Sequence, residues 1–203
     1  MKPLYFYRFW RDLIGFFGRI IHRIKVVGIE NIPAESHAII ASSHVHAIDP
    51  MLHGYMLSRD MFTMAKAELF NNPLFGAVLR KLGAFPVTRG HGDRGAIKVA
   101  LNILNNDGLL LVFPEGTRSK NGELGAFKTG AVMFSVETNS PVIPATIIAD
   151  RKLGWFKPVT IIYGEPISAS EFGTKDATSA DLRRATGLLR ERIMALQSQN
   201  GER

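Results

Sequence analysis

The chain has 203 residues, 46% hydrophobic and 21% charged, enough for one domain with a sizeable core. It contains no cysteine, which excludes disulfides, thiolate metal sites, iron–sulfur clusters and a cysteine nucleophile. A formal net charge of +7 favours anionic partners: nucleic acid, an anionic membrane leaflet or a phosphorylated substrate.

Residues 1–24 form the first predicted element, an amphipathic helix crowded with aromatic and aliphatic side chains. At about 100° per residue, Arg8, Arg11, Asp12, Gly15, Gly18, Arg19, His22 and Arg23 share an arc of roughly 140°. The opposite arc holds Phe9, Trp10, Leu13, Ile14, Phe16, Phe17, Ile20, Ile21 and Ile24. The charges interrupt the run of roughly 20 apolar residues that a span needs, and the apolar core of a cleavable signal is missing. The pattern is that of a helix lying in a membrane interface, with arginines towards anionic headgroups. A helix packed by its apolar face onto its own domain would share the periodicity. Aromatic density and basic bias favour the membrane.

Residues 25–203 follow as a second region, a single domain. Short apolar runs at 37–41, 61–65, 84–87, 109–113, 142–148 and 158–163 read as strands. Helical periodicity covers 50–57, 73–82, 94–105, 125–138 and 180–197, with a polar, frayed tail expected from Ser198. Asp49-Pro50 and Asn72-Pro73 each read as an N-cap followed by Pro at the first helical position. The alternation predicts an α/β fold: a mostly parallel central sheet flanked by helices.

Chemistry gathers at two strand ends. In IIASSHVHAIDP, residues 39–50, a strand runs into His44 and His46 before Asp49. If the turn folds back, Asp49 holds one imidazole nitrogen and leaves the other free as a base. The plainer reading makes Asp49 only a helix cap. His46, three residues from Asp49, either competes for that carboxylate or faces whatever binds at this strand end. In LLLVFPEGTRS, residues 109–119, a strong strand opens at Pro114 into a loop. Arg118 presents a planar fork to phosphate, Gly116 allows close backbone approach, and Thr117 and Ser119 add hydroxyl donors. Lys66 and Arg89 end two further strands and reach the same rim if those strands are parallel.

Other chemistries fit less well. The chain has no G-x-S-x-G elbow and no Walker-type phosphate loop. His44-Val45-His46 with Asp49 has the wrong spacing for a dinuclear zinc hydrolase, because Pro50 follows the aspartate, so no metal is expected. No RNA-binding aromatic signature or helix-turn-helix pattern supports nucleic acid.

Together these stretches resemble the glycerolipid acyltransferase family, known for a histidine, four residues and an aspartate. His44-Val-His-Ala-Ile-Asp49 matches that spacing, and Gly83-Ala-Phe85-Pro-Val-Thr-Arg89 resembles the second block. Phe113-Pro114-Glu115-Gly116-Thr117-Arg118-Ser119 matches the third without gaps, and Pro141-Val-Ile-Pro144 resembles the fourth. Ser43 stands where the family often has Asn, and His46 where it often has Ser.

The resemblance implies acyl transfer from a thioester to the sn-2 hydroxyl of lysophosphatidic acid, making phosphatidic acid for phospholipid biosynthesis. It implies His44 as base and Asp49 as its partner. Lys66, Arg89 and Arg118 would hold the acceptor phosphate, with Glu115, Gly116 and Thr117 shaping that site. No cofactor is expected, an acyl-carrier-protein or coenzyme A thioester being the co-substrate. The enzyme would sit peripherally on the cytoplasmic face of the cell membrane through residues 1–24. Another lysophospholipid or glycerol-3-phosphate as acceptor is the alternative, and a non-catalytic membrane-binding module the more distant one.

Overall fold

The computed structural model describes residues 5–88, 92–119, 123–149, 157–173 and 178–201. Helix α1 (Tyr5–His22) leads into strand β1 (Ile24–Val27). Then come β2 (Ala38–Ser42), α2 (Asp49–Met56), β3 (Met61–Lys66), α3 (Pro73–Lys81) and β4 (Ala84–Val87). The second half holds α4 (Arg94–Leu104), β5 (Leu109–Val112), α5 (Gly130–Thr138), β6 (Val142–Ala149), β7 (Val159–Tyr163), α6 (Ala169–Phe172) and α7 (Ser179–Gly201).

Seven strands form one sheet in the order β1-β7-β6-β2-β5-β3-β4. The run from β6 to β4 is parallel throughout, and only β6 with β7 is antiparallel. The expected mostly parallel sheet flanked by helices is therefore what the chain forms. Central strand β2 is buried at all five positions, as a strand covered on both faces must be. Its side chains alternate between two cores. Ile39 and Ala41 pack with Ala100, Leu104, Val132, Phe134 and Leu189 from α4, α5 and α7. Ala38 and Ile40 pack with Leu52, Met56 and Tyr7 from α2 and α1.

Crossovers explain where a site can open. From β2 the chain passes through α2 to β3 on one side, whereas from β5 it passes through α5 to β6 on the other. Neighbouring strands whose connections leave in opposite directions open a crevice at their carboxyl ends, here between β2 and β5.

Several local expectations change. Residues 24–27 form β1, paired parallel with β7, so Ile24 belongs to the sheet and not to the helix's apolar arc. Arg23 ends α1 with a left-handed φ of 44°. Helix α5 begins at Gly130 instead of 125, because the preceding backbone has other partners: Gly125 N–H donates to Glu115 and Lys128 N–H to the Pro114 carbonyl. Asn72 caps α3 as expected, accepting from Phe75 N–H at 3.0 Å. Asp49 does not cap α2. Ile48 occupies the N-cap position and the Asp49 carboxylate turns back towards β2. Helix α7 continues through Gly201, past the expected fraying at Ser198, whose hydroxyl donates to the Ala195 carbonyl.

Candidate active site

The turn after β2 is built around one buried oxygen. Asp49 is 0% exposed, and its Oδ2 accepts the backbone N–H groups of Val45 at 2.7 Å and His46 at 2.8 Å. The same oxygen lies 2.8 Å from His44 Nδ1. With the carboxylate accepting, Nδ1 carries the proton and Nε2 presents a lone pair. The ring stacks on Phe113 at 4.0 Å between centroids, which leaves His44 only 14% exposed and fixed in orientation. His46 contributes its backbone N–H to Asp49, so its ring does not compete for the carboxylate. Its Nε2 is buried with no hydrogen-bond partner among the described residues.

The register brings the second motif alongside. Ala41 pairs with Val112, so three residues further along each strand His44 and Glu115 stand level. Glu115 is a brace: Oε1 accepts His44 N–H at 3.2 Å and Oε2 accepts Gly125 N–H at 3.0 Å. Ser119 N–H donates to the His44 carbonyl at 2.8 Å, closing the same frame from the other end of the loop. Gly116 holds φ at 69°, and a β-carbon there would meet Lys128 Cε and Nζ at 3.0 Å. The left-handed φ favours glycine, and its missing side chain leaves room for Lys128.

Glu115, Thr117, Arg118, Ser119 and Gly125 line a polar cavity of about 290 Å³, into which the exposed Arg118 brings a guanidinium. Lys66 ends β3 beside β5 on this rim, where its ammonium pairs with Glu68 at 3.0 Å and does not line the cavity. It stands roughly 10 Å from the His44 strand by sheet spacing. Arg89 lies outside the described residues. Among the described residues no three His, Asp or Glu side chains gather as a metal-binding group.

Sequence reasoning missed three contributors. Lys128 folds over Gly116. Phe113, read as a strand end and as the first residue of the third block but given no role, is the surface against which the base is held. His53 lies fully buried, between Tyr163 Oη at 2.9 Å and Ser42 Oγ at 2.9 Å. Ser42 donates its hydroxyl to the Ser43 carbonyl. Its oxygen therefore accepts from His53 Nε2–H, and Tyr163 O–H donates to Nδ1, a directed chain that locks the end of β2. The available signal was a histidine one helical turn after Asp49 among apolar neighbours.

Burial pushes His53 down to about 4, the Asp49 charge opposing and His44 adding to the effect. In the unfolded chain it protonates near pH 6.5. Between those values the unfolded state binds more protons, so stability is lost as pH falls through the window. Urea unfolding at pH 7 and pH 5 is expected to show a loss of about 2 kcal/mol from this residue. His53→Gln, which does not titrate, should flatten that difference; an unchanged slope would remove His53 as its source.

A sequence profile of the acyltransferase family matches residues 23–148, covering β1 to β6 and both motif loops. The chain belongs to the acyltransferase family. Over 182 residues this acyltransferase is 31% identical to a 1-acyl-sn-glycerol-3-phosphate acyltransferase of Bacillus subtilis, a match covering 86% of this chain and 88% of the relative. A Borreliella burgdorferi protein of the same name is 31% identical over 127 residues, 62% of this chain and 51% of that one. Among solved structures, the 1-acyl-sn-glycerophosphate (LPA) acyltransferase PlsC from Thermotoga maritima superposes with a TM-score of 0.71 at 26% identity. That match covers 94% of this acyltransferase and 81% of the other chain.

Proposed function

We infer that this acyltransferase moves an acyl group from a thioester to the free sn-2 hydroxyl of 1-acyl-sn-glycerol-3-phosphate, forming phosphatidic acid. The observation that carries the chemistry is the 2.8 Å contact between His44 Nδ1 and Asp49, which dedicates Nε2 to proton transfer. The acceptor hydroxyl gives its proton to Nε2 as its oxygen attacks the thioester carbonyl. Asp49 offsets the charge that appears on the imidazolium. The tetrahedral intermediate then collapses, the carbon–sulfur bond breaks, and the imidazolium proton leaves with the thiol. One ester forms and one thioester is consumed, with no covalent enzyme intermediate and no cofactor required.

Arg118, at the 290 Å³ cavity lined by Glu115 and Ser119, both bonded to the His44 backbone, supplies the fork for the acceptor phosphate. Lys66 adds charge from the end of β3, and Arg89, two residues past β4 in sequence, is assigned to the same phosphate. Glu115 keeps the two loops in register, so that phosphate binding positions the hydroxyl at Nε2.

The direction in which α1 packs supports a membrane-surface location. Among its described residues, Arg8 pairs with Asp60 at 2.9 Å, and Gly15 lies against the Tyr55 carbonyl. Tyr7 is buried, in reach of the Gly54 carbonyl. Tyr5, Phe9, Leu13 and Phe16 are left exposed, within roughly 80° of one another on the helix. Among the described residues no helix is long and apolar enough to cross a membrane; the exposed apolar side chains support an interfacial placement of α1. With a charge of +7, the anionic cytoplasmic leaflet is the matching surface.

Thioester release measured against lysophosphatidic acid, other lysophospholipids and glycerol-3-phosphate tests the acceptor. Lysophosphatidic acid should give the highest kcat/KM with either a coenzyme A or a carrier-protein donor. Equal rates with acceptors lacking a phosphomonoester would overturn the assignment.

A further inference from the structure

We propose that α3 is a second lipid-contacting helix, so that the acyltransferase rests on an anionic bilayer through one face built by α1 and α3 together. The inference rests on the reading that the enzyme works at a lipid surface. The β2-α2-β3 and β3-α3-β4 crossovers move in the same direction across the sheet. Right-handed connection therefore puts α3 on the face that carries α2 and α1. On α3, Leu74 is 80% exposed, and Phe75 and Val78 are exposed beside it. Leu69, in the turn before the helix, is exposed as well. Leu74, Val78 and Lys81 fall within about 60° of one another at helical spacing.

Two observations name the occupant. First, α3 contains no acidic residue and ends in Arg80 and Lys81, so the apolar stripe is edged by cations only on its own helix. That combination suits acyl chains beneath anionic headgroups and is poorly matched to a neutral apolar groove. Second, the C-terminal end of α3 adjoins α1. Lys81 Nζ lies 5.1 Å from the centre of the Phe6 ring, at the seam between the two helices. Helix α3 starts at the active-site rim, seven residues after β3 ends, and runs back towards the start of β4. A bilayer along this face meets Leu74 close to that rim, where a lysophospholipid must leave the membrane to reach His44.

The absence of native cysteine makes the test direct. Single variants Leu74→Cys, Phe9→Cys and, on α7 at the opposite face, Met194→Cys carry an environment-sensitive fluorophore in the full chain. Vesicles of phosphatidylglycerol with phosphatidylcholine should blue-shift the emission at positions 74 and 9 and leave 194 unchanged, with weaker shifts on phosphatidylcholine alone. Leu74→Asp should weaken vesicle partitioning about tenfold while leaving thioester release in detergent solution unchanged.

A shift at 9 with none at 74 would confine lipid contact to α1 and overturn the proposal. No shift at either position, with thioester release intact in detergent, would sink the lipid-surface reading and this proposal with it, leaving acyl transfer standing. Shifts at both positions in a protein that releases no thioester would uphold the lipid face and refute the catalytic reading instead. A blue shift at 74 without vesicles, rising with protein concentration alongside a doubled mass, would assign the face to a second copy of the chain and overturn the proposal.

Discussion

His44→Ala is expected to lower kcat by a factor of at least about one hundred, with the KM for the thioester nearly unchanged. A positioned general base contributes typically 10²–10⁴-fold. At roughly 1.4 kcal/mol per tenfold, that is about 3–5 kcal/mol of transition-state stabilisation. The substitution removes Nε2 and the stacking on Phe113 but spares the backbone, which donates to Glu115 and accepts from Ser119. The loop frame should therefore survive. Circular dichroism and vesicle partitioning will separate a lost base from a lost fold. His44→Gln, which keeps hydrogen-bonding capacity near Asp49 without basicity, should be equally inactive. Thioester release above half the original rate in either folded variant would mean that the base lies elsewhere.

Expectation and structure agree where one segment carries its own signal, and part where the answer depends on a partner far along the chain. The strands at 61–66, 84–87 and 142–149 announce themselves by β-branched and apolar runs between turn residues, and the structure places them within a residue or two. Strand β1 does not. Ile24 to Val27 continues the apolar rhythm of α1, and only the parallel pairing with β7, more than a hundred residues on, makes it a strand. Helix α5 likewise starts late because Glu115 and Pro114 take the backbone groups of the residues before it, a demand invisible in GAFKTG.

The candidate site was legible to the same degree. Spacing suggested that His44 and Asp49 could meet, but Asp49-Pro50 reads equally well as a helix cap, and only the folded turn decides between them. The braced loop required the β2–β5 register, which brings His44 and Glu115 level. Lys128 escaped notice because a lone lysine in a loop has no periodicity to mark it. It matters through the missing side chain of Gly116, over which it lies. His53 has no motif at all. Its importance comes from Tyr163, more than a hundred residues away, and from Ser42, two residues before the base.

Asp49→Asn is the sharper test, because it changes one atom and one charge at the point where three hydrogen bonds meet. If the amide oxygen takes the Oδ2 position, the contacts to Val45, His46 and His44 persist. The amide nitrogen then occupies the Oδ1 site, which is buried without a partner among the described residues, and leaves a donor unsatisfied at about 1–3 kcal/mol. If the amide reverses, its N–H₂ faces two backbone N–H groups, and His44 must turn its Nδ1 lone pair towards it. The ring proton then moves to Nε2, which can no longer act as base. In either orientation the negative charge that balances the imidazolium is gone. The expected result is a fall in kcat of about 10³–10⁴, by analogy with the loss of tautomer control in a Ser-His-Asp triad, with a much smaller change in donor KM. Asp49→Ala should differ in kind: it strands two backbone donors beside β2 and lowers the melting temperature as well as the rate. An asparagine variant that keeps most of its rate would reduce Asp49 to a brace for the turn and leave His44 without an electrostatic partner.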